Sequence, residues 1–198
     1  MTELAPEDAA RADFYALLGR LWHSGPDAAL LAAIAAADEL VAEGDQAALA
    51  DAWRQLRAAA GATEVAAARD EHESLFIGAG RAAVTPYASH YLAETARERV
   101  LVALRDDLME FGLERDQASF EPEDHFAALC EVMRHLVAAG SADAALQRQK
   151  KFFTRYMVRA YNPLTDQVLA STKTKFYGYV ARFTKAFCDS EAASLDML

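Results

Sequence analysis

Apolar positions along the chain recur with helical spacing. In the first segment, apolar side chains follow the i, i+3, i+4, i+7, i+8 pattern of an amphipathic helix: Phe14, Leu17, Leu18, Leu21 and Trp22. No segment of useful length alternates strictly between apolar and polar residues, as a half-buried strand would. Alanine, the best helix former, is the commonest residue. The pattern therefore predicts an all-α protein.

Glycine, proline and capping residues divide the chain into about eight predicted helices. Their predicted bounds are residues 6–24, 27–43, 45–60, 63–77, 89–111, 122–139, 141–161 and 162–188. Asn162-Pro163 pairs a cap residue with a first-turn proline and predicts the start of the last helix. We expect loops at 78–86 and 113–121, and a frayed tail at 189–198. Residues 1–198 are accordingly predicted to form a single globular domain.

Composition narrows the class of protein. The chain has 198 residues, of which 53% are hydrophobic, and a net charge of −10. Nucleic-acid binding requires clustered positive charge, so we expect no nucleic-acid partner. The longest apolar run, 28–37, is far shorter than the roughly 20 residues that span a bilayer, so stable membrane insertion is not expected. The first residues lack the basic and apolar regions of a secretory signal, which predicts a cytoplasmic protein.

Charge is divided unevenly along the chain. Residues 148–198 hold nine of the 20 basic residues and only four of the 30 acidic ones. In the predicted helix 141–161, four cations spaced three or four residues apart share one face: Arg148, Lys151, Arg155 and Arg159. This face either is solvated and neutralises the acidic half of the same fold, or docks an acidic partner.

Motifs for catalysis or metal binding are missing. The two cysteines form no C-x-x-C pair, and the five histidines show no zinc or di-iron spacing. The glycines at 78 and 80 form neither a Walker loop nor a dinucleotide fingerprint. We expect no metal, no catalytic residue and no cofactor.

One candidate site is the segment Glu121-Pro122-Glu123-Asp124-His125. A proline at a helix start, with acids in the first turn, is favourable capping chemistry, because carboxylates there face the positive end of the helix dipole. The same carboxylate and imidazole at an exposed helix N-terminus also make a polar recognition point. Both interpretations remain open at this stage.

A second candidate site is Tyr87-Ala88-Ser89-His90-Tyr91, which follows the glycine-containing loop. Tyr87 and Tyr91 are four residues apart, so they lie on one face of the predicted helix. They either anchor the core or line an aromatic groove that accepts an apolar peptide.

These segments resemble the TorD/DmsD/NarJ-like redox-enzyme maturation chaperones. Glu121 to His125 match the family's E-P-x-D-H signature, and Tyr87 to Tyr91 match its aromatic-x-Ser-x-aromatic segment. A Phe-x-Gly-x-Gly-like loop at 76–80 and a closing helix that includes 175–183 are also similar. The resemblance covers roughly residues 10–188.

The resemblance implies an all-helical TorD-like fold and a function without catalysis. Such proteins bind the twin-arginine leader, or another part, of a molybdenum-containing oxidoreductase and hold the apoenzyme until its cofactor is inserted. The candidate residues for client or leader binding are Phe76, Tyr87, Ser89, Tyr91, Glu121, Glu123, Asp124 and His125. Binding of GTP is implied by the resemblance alone, and monomer and domain-swapped dimer both remain open.

Two other functions compete with the chaperone. An acidic helical adaptor or regulatory protein would use the Arg148–Arg159 face to bind a folded partner. An enzyme would use Asp124 and His125 as an acid–base dyad, but no nucleophile, metal or cofactor motif accompanies them.

Overall fold

The computed structural model describes residues 4–40, 44–77, 82–114 and 121–198. These residues form ten α-helical segments and no β-strand, which confirms the all-α prediction. The helices are α1 (Pro6–His23), α2 (Ala28–Ala36), α3 (Ala47–Ala62), α4 (Val65–His72), α5 (Ser89–Leu92), α6 (Arg97–Glu110), α7 (Phe126–Ala138), α8 (Asp143–Phe152), α9 (Val158–Ala170) and α10 (Phe176–Asp196). A 3₁₀ turn covers Gly44–Gln46, and π-helical turns cover Glu73–Ile77 and Phe153–Met157.

Internal contacts group the described chain into two compact units. Unit 1 takes its residues from 1–23, 86–160 and 195–198. Unit 2 takes its residues from 24–85 and 161–194. The single domain over 1–198 stays a prediction.

Unit 1 is built on the packing of α1 against α7. The apolar stripe of α1 forms part of its core, with Leu18, Leu21 and Trp22 at most 1% exposed. The Trp22 ring meets Phe126, the first residue of α7, edge to face at a centroid distance of 5.4 Å. The helical spacing of these apolar residues thus places them on the buried face.

Unit 2 contains α2, α3, α4 and most of α10. Trp53 on α3 is its central anchor, since the ring lies 5.2 Å from that of Phe183 and its indole N–H donates to the Asp38 carbonyl at 2.9 Å. The aromatic ring is therefore buried with its polar atom satisfied.

Several helix ends in unit 2 differ from their predicted positions. Helix α2 ends at Ala36 rather than near residue 43. Its start agrees with the prediction, because Asp27 is the N-cap and its carboxylate accepts the Leu30 N–H at 2.7 Å. The Thr63 hydroxyl donates to the Ala59 carbonyl at 2.6 Å, so it closes α3 instead of capping α4. The side chain of Asp45, a predicted cap, lies outside the described residues.

The predicted helix 89–111 is divided into α5 and α6. Ala96 interrupts it with a positive φ of 57°, a conformation that is costly for a residue with a side chain and incompatible with a continuous right-handed helix. Gly112, with a φ of 74°, lies just after the end of α6 and stops the helix as predicted.

The last two predicted helices are also revised. Pro163 lies inside α9 rather than at a helix start, because burial of Tyr161 and Leu164 on either side offsets the hydrogen bond that proline cannot donate. The predicted frayed tail at 189–198 is wrong, since α10 runs to Asp196. Glu191 and Leu195 are each 3% exposed, and their burial holds this last stretch in the helix.

Candidate functional site

The Glu121–His125 segment is a turn that precedes α7. The prediction that Pro122 starts the helix is wrong, because its carbonyl accepts the His125 N–H at 3.1 Å in this turn. His125 is the N-cap, and its Nδ1 accepts the Ala127 N–H at 3.1 Å. The imidazole therefore takes the role that serine, threonine or aspartate usually has at a helix start.

Main-chain pairing brings this turn against the segment that leads into α5. Phe126 N–H donates to the Pro86 carbonyl, and Ala88 N–H donates to the Asp124 carbonyl, both at 2.8 Å. Tyr87 and His125 form an isolated antiparallel bridge between these bonds. The two candidate segments of the sequence thus lie side by side, and we call the pair the corner.

Asp124 is the buried acid of the corner. Asp124 is only 2% exposed. Its Oδ2 accepts the N–H of Ser89, the first residue of α5, at 3.0 Å. A carboxylate at a helix N-terminus satisfies a main-chain donor and faces the positive end of the dipole. Asp124 thereby fixes where α5 begins.

Glu121 and Tyr87 form the outer edge of the corner. The Tyr87 hydroxyl donates to Glu121 Oε2 at 2.7 Å, and both residues are half-buried. Burial, this hydrogen bond and the charges of Glu121 and Asp124 raise the pKa of Tyr87 to about 12. Tyr87 therefore stays protonated and orients a carboxylate that remains accessible.

Glu123 is already neutralised within unit 1. Arg105 on α6 donates to its two carboxylate oxygens, from Nε at 2.8 Å and from a terminal nitrogen at 3.1 Å. Glu123 is 9% exposed, whereas half of the Arg105 side chain faces solvent. This bidentate pair fastens the turn to α6.

The remaining predicted site residues are divided between the units. Tyr91 lies on α5 in unit 1, half-buried, with its ring 4.9 Å from that of His90, and burial raises the pKa of its hydroxyl. Phe76 belongs to unit 2, where its ring lies 5.0 Å from His72 and 5.3 Å from Tyr177. The structure thus gathers seven of the eight predicted residues in unit 1 and places Phe76 in unit 2.

An open groove of about 540 Å³ runs beside the corner in unit 1. Its apolar lining comes from α6, α7 and the chain after α6: Leu108, Leu113, Ala127, Ala128 and Val132. Four glutamates also line it: Glu114, Glu121, Glu123 and Glu131. Arg20 and Arg134 are the cations among the lining residues, and we call this feature the acidic groove.

Charge pairing leaves the groove with two unneutralised carboxylates. Glu131 accepts the Arg134 Nε–H at 2.7 Å, and Glu123 is bound by Arg105. Within the described part of the chain, Glu114 and Glu121 make no ion pair. The groove therefore presents negative charge beside an apolar floor, which suits a cationic and apolar ligand.

Sequence reasoning missed the α7 side of this groove. Ala127, Ala128, Glu131, Val132 and His135 recur at helical spacing, so one stripe of α7 faces the groove. Small residues in such a stripe leave room above the helix. This spacing was visible in the sequence, but its neighbours on α1 and α6 were not.

A second residue missed by sequence reasoning is Glu71 of unit 2. Its carboxylate accepts three successive N–H groups at the start of α10: Lys175 at 2.6 Å, Phe176 at 2.9 Å and Tyr177 at 2.9 Å. Glu71 is 7% exposed and pairs across about a hundred residues of chain, so no local pattern signals it.

The described residues provide neither a metal site nor a membrane-spanning helix. No group of three or more His, Cys, Asp and Glu side chains in these ranges is placed to hold a metal ion. Across the same ranges, no helix has the length and apolar character needed to cross a membrane. Cys130 is fully buried, and this burial, together with the nearby Glu131, raises the pKa of its thiol well above the usual value, so it is unreactive.

The fold and the corner define an all-α protein with a peptide-sized groove. Residues 42–162 match the family described as nitrate reductase delta subunit, and this match covers more than half of the chain. The chain therefore belongs to this family, which is of the chaperone type and includes the TorD- and NarJ-like proteins that the sequence resembles.

A curated relative gives a second comparison. The chain is 28% identical over 104 residues to the chaperone protein TorD of Histophilus somni (strain 129Pt). The aligned region covers 52% of this chain and 52% of the relative, so the chain spans about half the length of the curated relative it matches.

Proposed function

We propose that this protein is a cytoplasmic chaperone for a molybdenum-containing oxidoreductase, acting without catalysis or a cofactor of its own. It binds the twin-arginine leader of the apoenzyme, or another part of it, and holds the client until its cofactor is inserted. The observation that carries the proposal is the family match over residues 42–162, which includes the whole of the corner.

The acidic groove supports binding of a leader peptide. A twin-arginine leader combines cationic side chains with an apolar stretch, and the groove combines the carboxylates of Glu114 and Glu121 with an apolar floor. A hydrogen bond to a charged group is worth about 1.5–3 kcal/mol. Two such contacts select a leader while leaving its binding reversible.

The corner residues divide into two roles in this proposal. Glu121 contacts the client, with Tyr87 holding its carboxylate in place at 2.7 Å. Asp124 and His125 position the groove by capping α5 and α7. Ser89, Tyr91, Glu123 and Phe76 stay proposed client-binding residues, although Glu123 reaches a client only together with its partner Arg105.

Isothermal titration with two synthetic peptides tests the proposal. One peptide carries an Arg-Arg pair before an apolar stretch, and the other carries Lys-Lys at the same positions. We expect saturable one-to-one binding of the arginine peptide and at least tenfold weaker binding of the lysine peptide, because only guanidinium forms a bidentate fork with a carboxylate. Equal affinities, or no binding of either peptide, would contradict leader recognition.

The adaptor alternative depends on the basic face of Arg148, Lys151, Arg155 and Arg159. Two of these four cations, Lys151 and Arg155, already form ion pairs with acids of unit 1. Lys151 donates to Glu110 at 2.7 Å and pairs with Asp107 at 3.0 Å, while Arg155 donates to Asp107 at 2.7 Å. These contacts support the interpretation that the face neutralises acids of the same fold. They give the adaptor no specific support.

A further inference from the structure

Unit 2 contains a second open groove, of about 490 Å³, with the opposite charge. It lies among the C-terminal ends of α3 and α9, the turn before α10 and the first two turns of α10. Its charged lining residues are Lys175 and Arg182, and none of the described residues that line it is acidic. We call this feature the cationic groove.

The two cations of this groove are not neutralised by the fold. Neither Lys175 nor Arg182 forms an ion pair with any residue that the structure describes. The guanidinium of Arg182 lies over the Tyr179 ring, 5.5 Å from its centroid, and both cationic residues are exposed. In a chain with a net charge of −10, two adjacent unpaired cations on one groove constitute a distinct electrostatic feature.

The groove also offers apolar surface. Leu169 is 37% exposed, and Ala59, Ala62 and Phe176 lie beside it along the lining. At Gly178 the first turn of α10 packs closely on the preceding turn, since an added Cβ would lie 3.1 Å from Thr174 Cγ2. A ligand that fits must therefore bring both negative charge and aliphatic groups.

The start of α10 argues for carboxylates over a compact phosphate group. Phosphates at helix N-termini are held by free main-chain N–H groups. Here Glu71 already occupies the N–H groups of Lys175, Phe176 and Tyr177. Its negative charge repels a second anion at the same atoms, so recognition falls to the side chains of Lys175 and Arg182.

We propose that the cationic groove binds an acidic segment of a partner protein, in which Asp or Glu side chains alternate with aliphatic ones. The acidic side chains pair with Lys175 and Arg182, and the aliphatic ones pack on Leu169 and Ala62. Charge complementarity of this kind selects the partner and speeds its association. Leader binding in unit 1 is not a premise of this proposal.

Fluorescence anisotropy tests the site with a fluorescein-labelled peptide of sequence Gly-Glu-Leu-Glu-Leu-Glu-Gly. The double variant Lys175→Gln/Arg182→Gln removes both cations, which are exposed and form no ion pair with any residue that the structure describes. The matched control is Arg148→Gln/Arg159→Gln, which neutralises two exposed, unpaired cations of unit 1 and changes the net charge equally. We expect the groove variant to lose at least tenfold in affinity and the control to change less than twofold.

A second variant probes the apolar half of the groove. Ala62→Trp fills it without a change in charge, and Ala62 is exposed, so the fold tolerates the larger side chain. This variant should also lose affinity for the acidic peptide. Equal losses in the groove variant and the charge control would show general attraction and overturn the proposal.

Competition separates the peptide from a phosphate ligand. Inorganic phosphate should displace the peptide no better than chloride at the same ionic strength. Displacement by phosphate at much lower ionic strength would assign the groove to a phosphate ligand and overturn the proposal. Neither outcome bears on the arginine peptide, so failure here is distinguishable from failure of leader recognition.

Discussion

Asp124 in unit 1 and Glu71 in unit 2 are both buried carboxylates that hold the N-terminus of a helix. Asp124 accepts one N–H at the start of α5, a helix of four residues. Glu71 accepts three N–H groups at the start of α10, a helix of 21 residues. Both carboxylates therefore cap a helix through main-chain N–H groups, but they cap helices of very different length. Asp124 fixes the start of a four-residue helix beside the acidic groove, and Glu71 fixes the start of a helix of 21 residues.

The two carboxylates also differ in how visible they are in the sequence. Asp124 belongs to the E-P-x-D-H segment and lies 35 residues from its partner Ser89. Glu71 lies within an ordinary charged stretch, 104 to 106 residues from its partners. Local chemistry marks a cap only when the cap and its helix are neighbours in sequence. The sequence therefore singled out Asp124 as a motif residue without indicating that it caps α5, and it did not single out Glu71 at all.

The largest effect is expected for Glu71→Ala. The substitution removes three hydrogen bonds to a charged acceptor and the negative charge at the start of α10, so we expect a loss of about 2–4 kcal/mol in the free energy of unfolding. Urea unfolding monitored by circular dichroism measures this loss. The exposed neighbour Glu73→Ala is the matched control, and equal losses in both variants would contradict the role of Glu71.

A smaller loss of about 1–2 kcal/mol is expected for Asp124→Ala, since a single cap contact typically costs about 1 kcal/mol and burial adds to it. The exposed Asp106→Ala serves as the control in the same urea experiment. If Asp124→Ala cost more than Glu71→Ala, the number of N–H groups held would not determine the strength of the two caps.

A third buried carboxylate, Asp107, differs from Asp124 and Glu71 because its partners are side chains instead of main-chain N–H groups. The Tyr156 hydroxyl donates to Asp107 Oδ2 at 2.6 Å. Burial opposes ionisation, but hydrogen bonds from Tyr156 and Lys151 and the charges of Arg155 and Lys151 outweigh it and hold the pKa of Asp107 below its usual value. Its contribution to stability is therefore present at neutral pH and is lost as pH falls below about 4.

Tyr156→Phe tests this pH dependence. At pH 7 we expect it to cost about 1 kcal/mol, because one hydrogen bond to a charged group is lost while both cations remain. The difference from wild type should shrink once acid protonates Asp107. Urea unfolding at pH 7 and pH 3 provides the measurement, and a cost that is unchanged at pH 3 would contradict the assignment.

Tyr87→Phe should have the smallest effect on stability, below about 0.5 kcal/mol, since Tyr87 and Glu121 are both partly solvated. Its effect should appear in binding, because Glu121 loses the donor that orients it. We expect weaker binding of the arginine peptide in titration calorimetry with an unchanged melting temperature. A lower melting temperature with unchanged affinity would make Tyr87 a structural residue only.

Much of the fold was predictable, because helix formation depends on local spacing. The start of α1 at Pro6 and its buried stripe followed directly from apolar periodicity. Proline rules were less reliable: Pro122 precedes α7 by a full turn, and Pro163 lies inside α9. In both places tertiary contacts decided the outcome, namely the pairing of the corner and the burial around Tyr161.

The candidate site was predictable in its segments and not in its roles. The sequence indicated that Asp124 and His125 matter, and the fold shows both engaged in capping. Glu114 was not predicted at all, since its position on the groove depends on how α6, α7 and the corner pack. Residue type predicts which chemistry is available, whereas packing determines which atoms remain accessible.

The most direct test of leader recognition is the affinity of the Arg-Arg peptide for Glu114→Gln/Glu121→Gln. The control is Asp13→Asn/Glu98→Gln, which removes two exposed acids of unit 1 that lie outside the acidic groove. We predict that titration calorimetry at low salt gives at least tenfold weaker binding for the groove variant and nearly wild-type binding for the control, with a gap that narrows at higher salt. Equal affinities for the two variants would contradict recognition of the leader by Glu114 and Glu121.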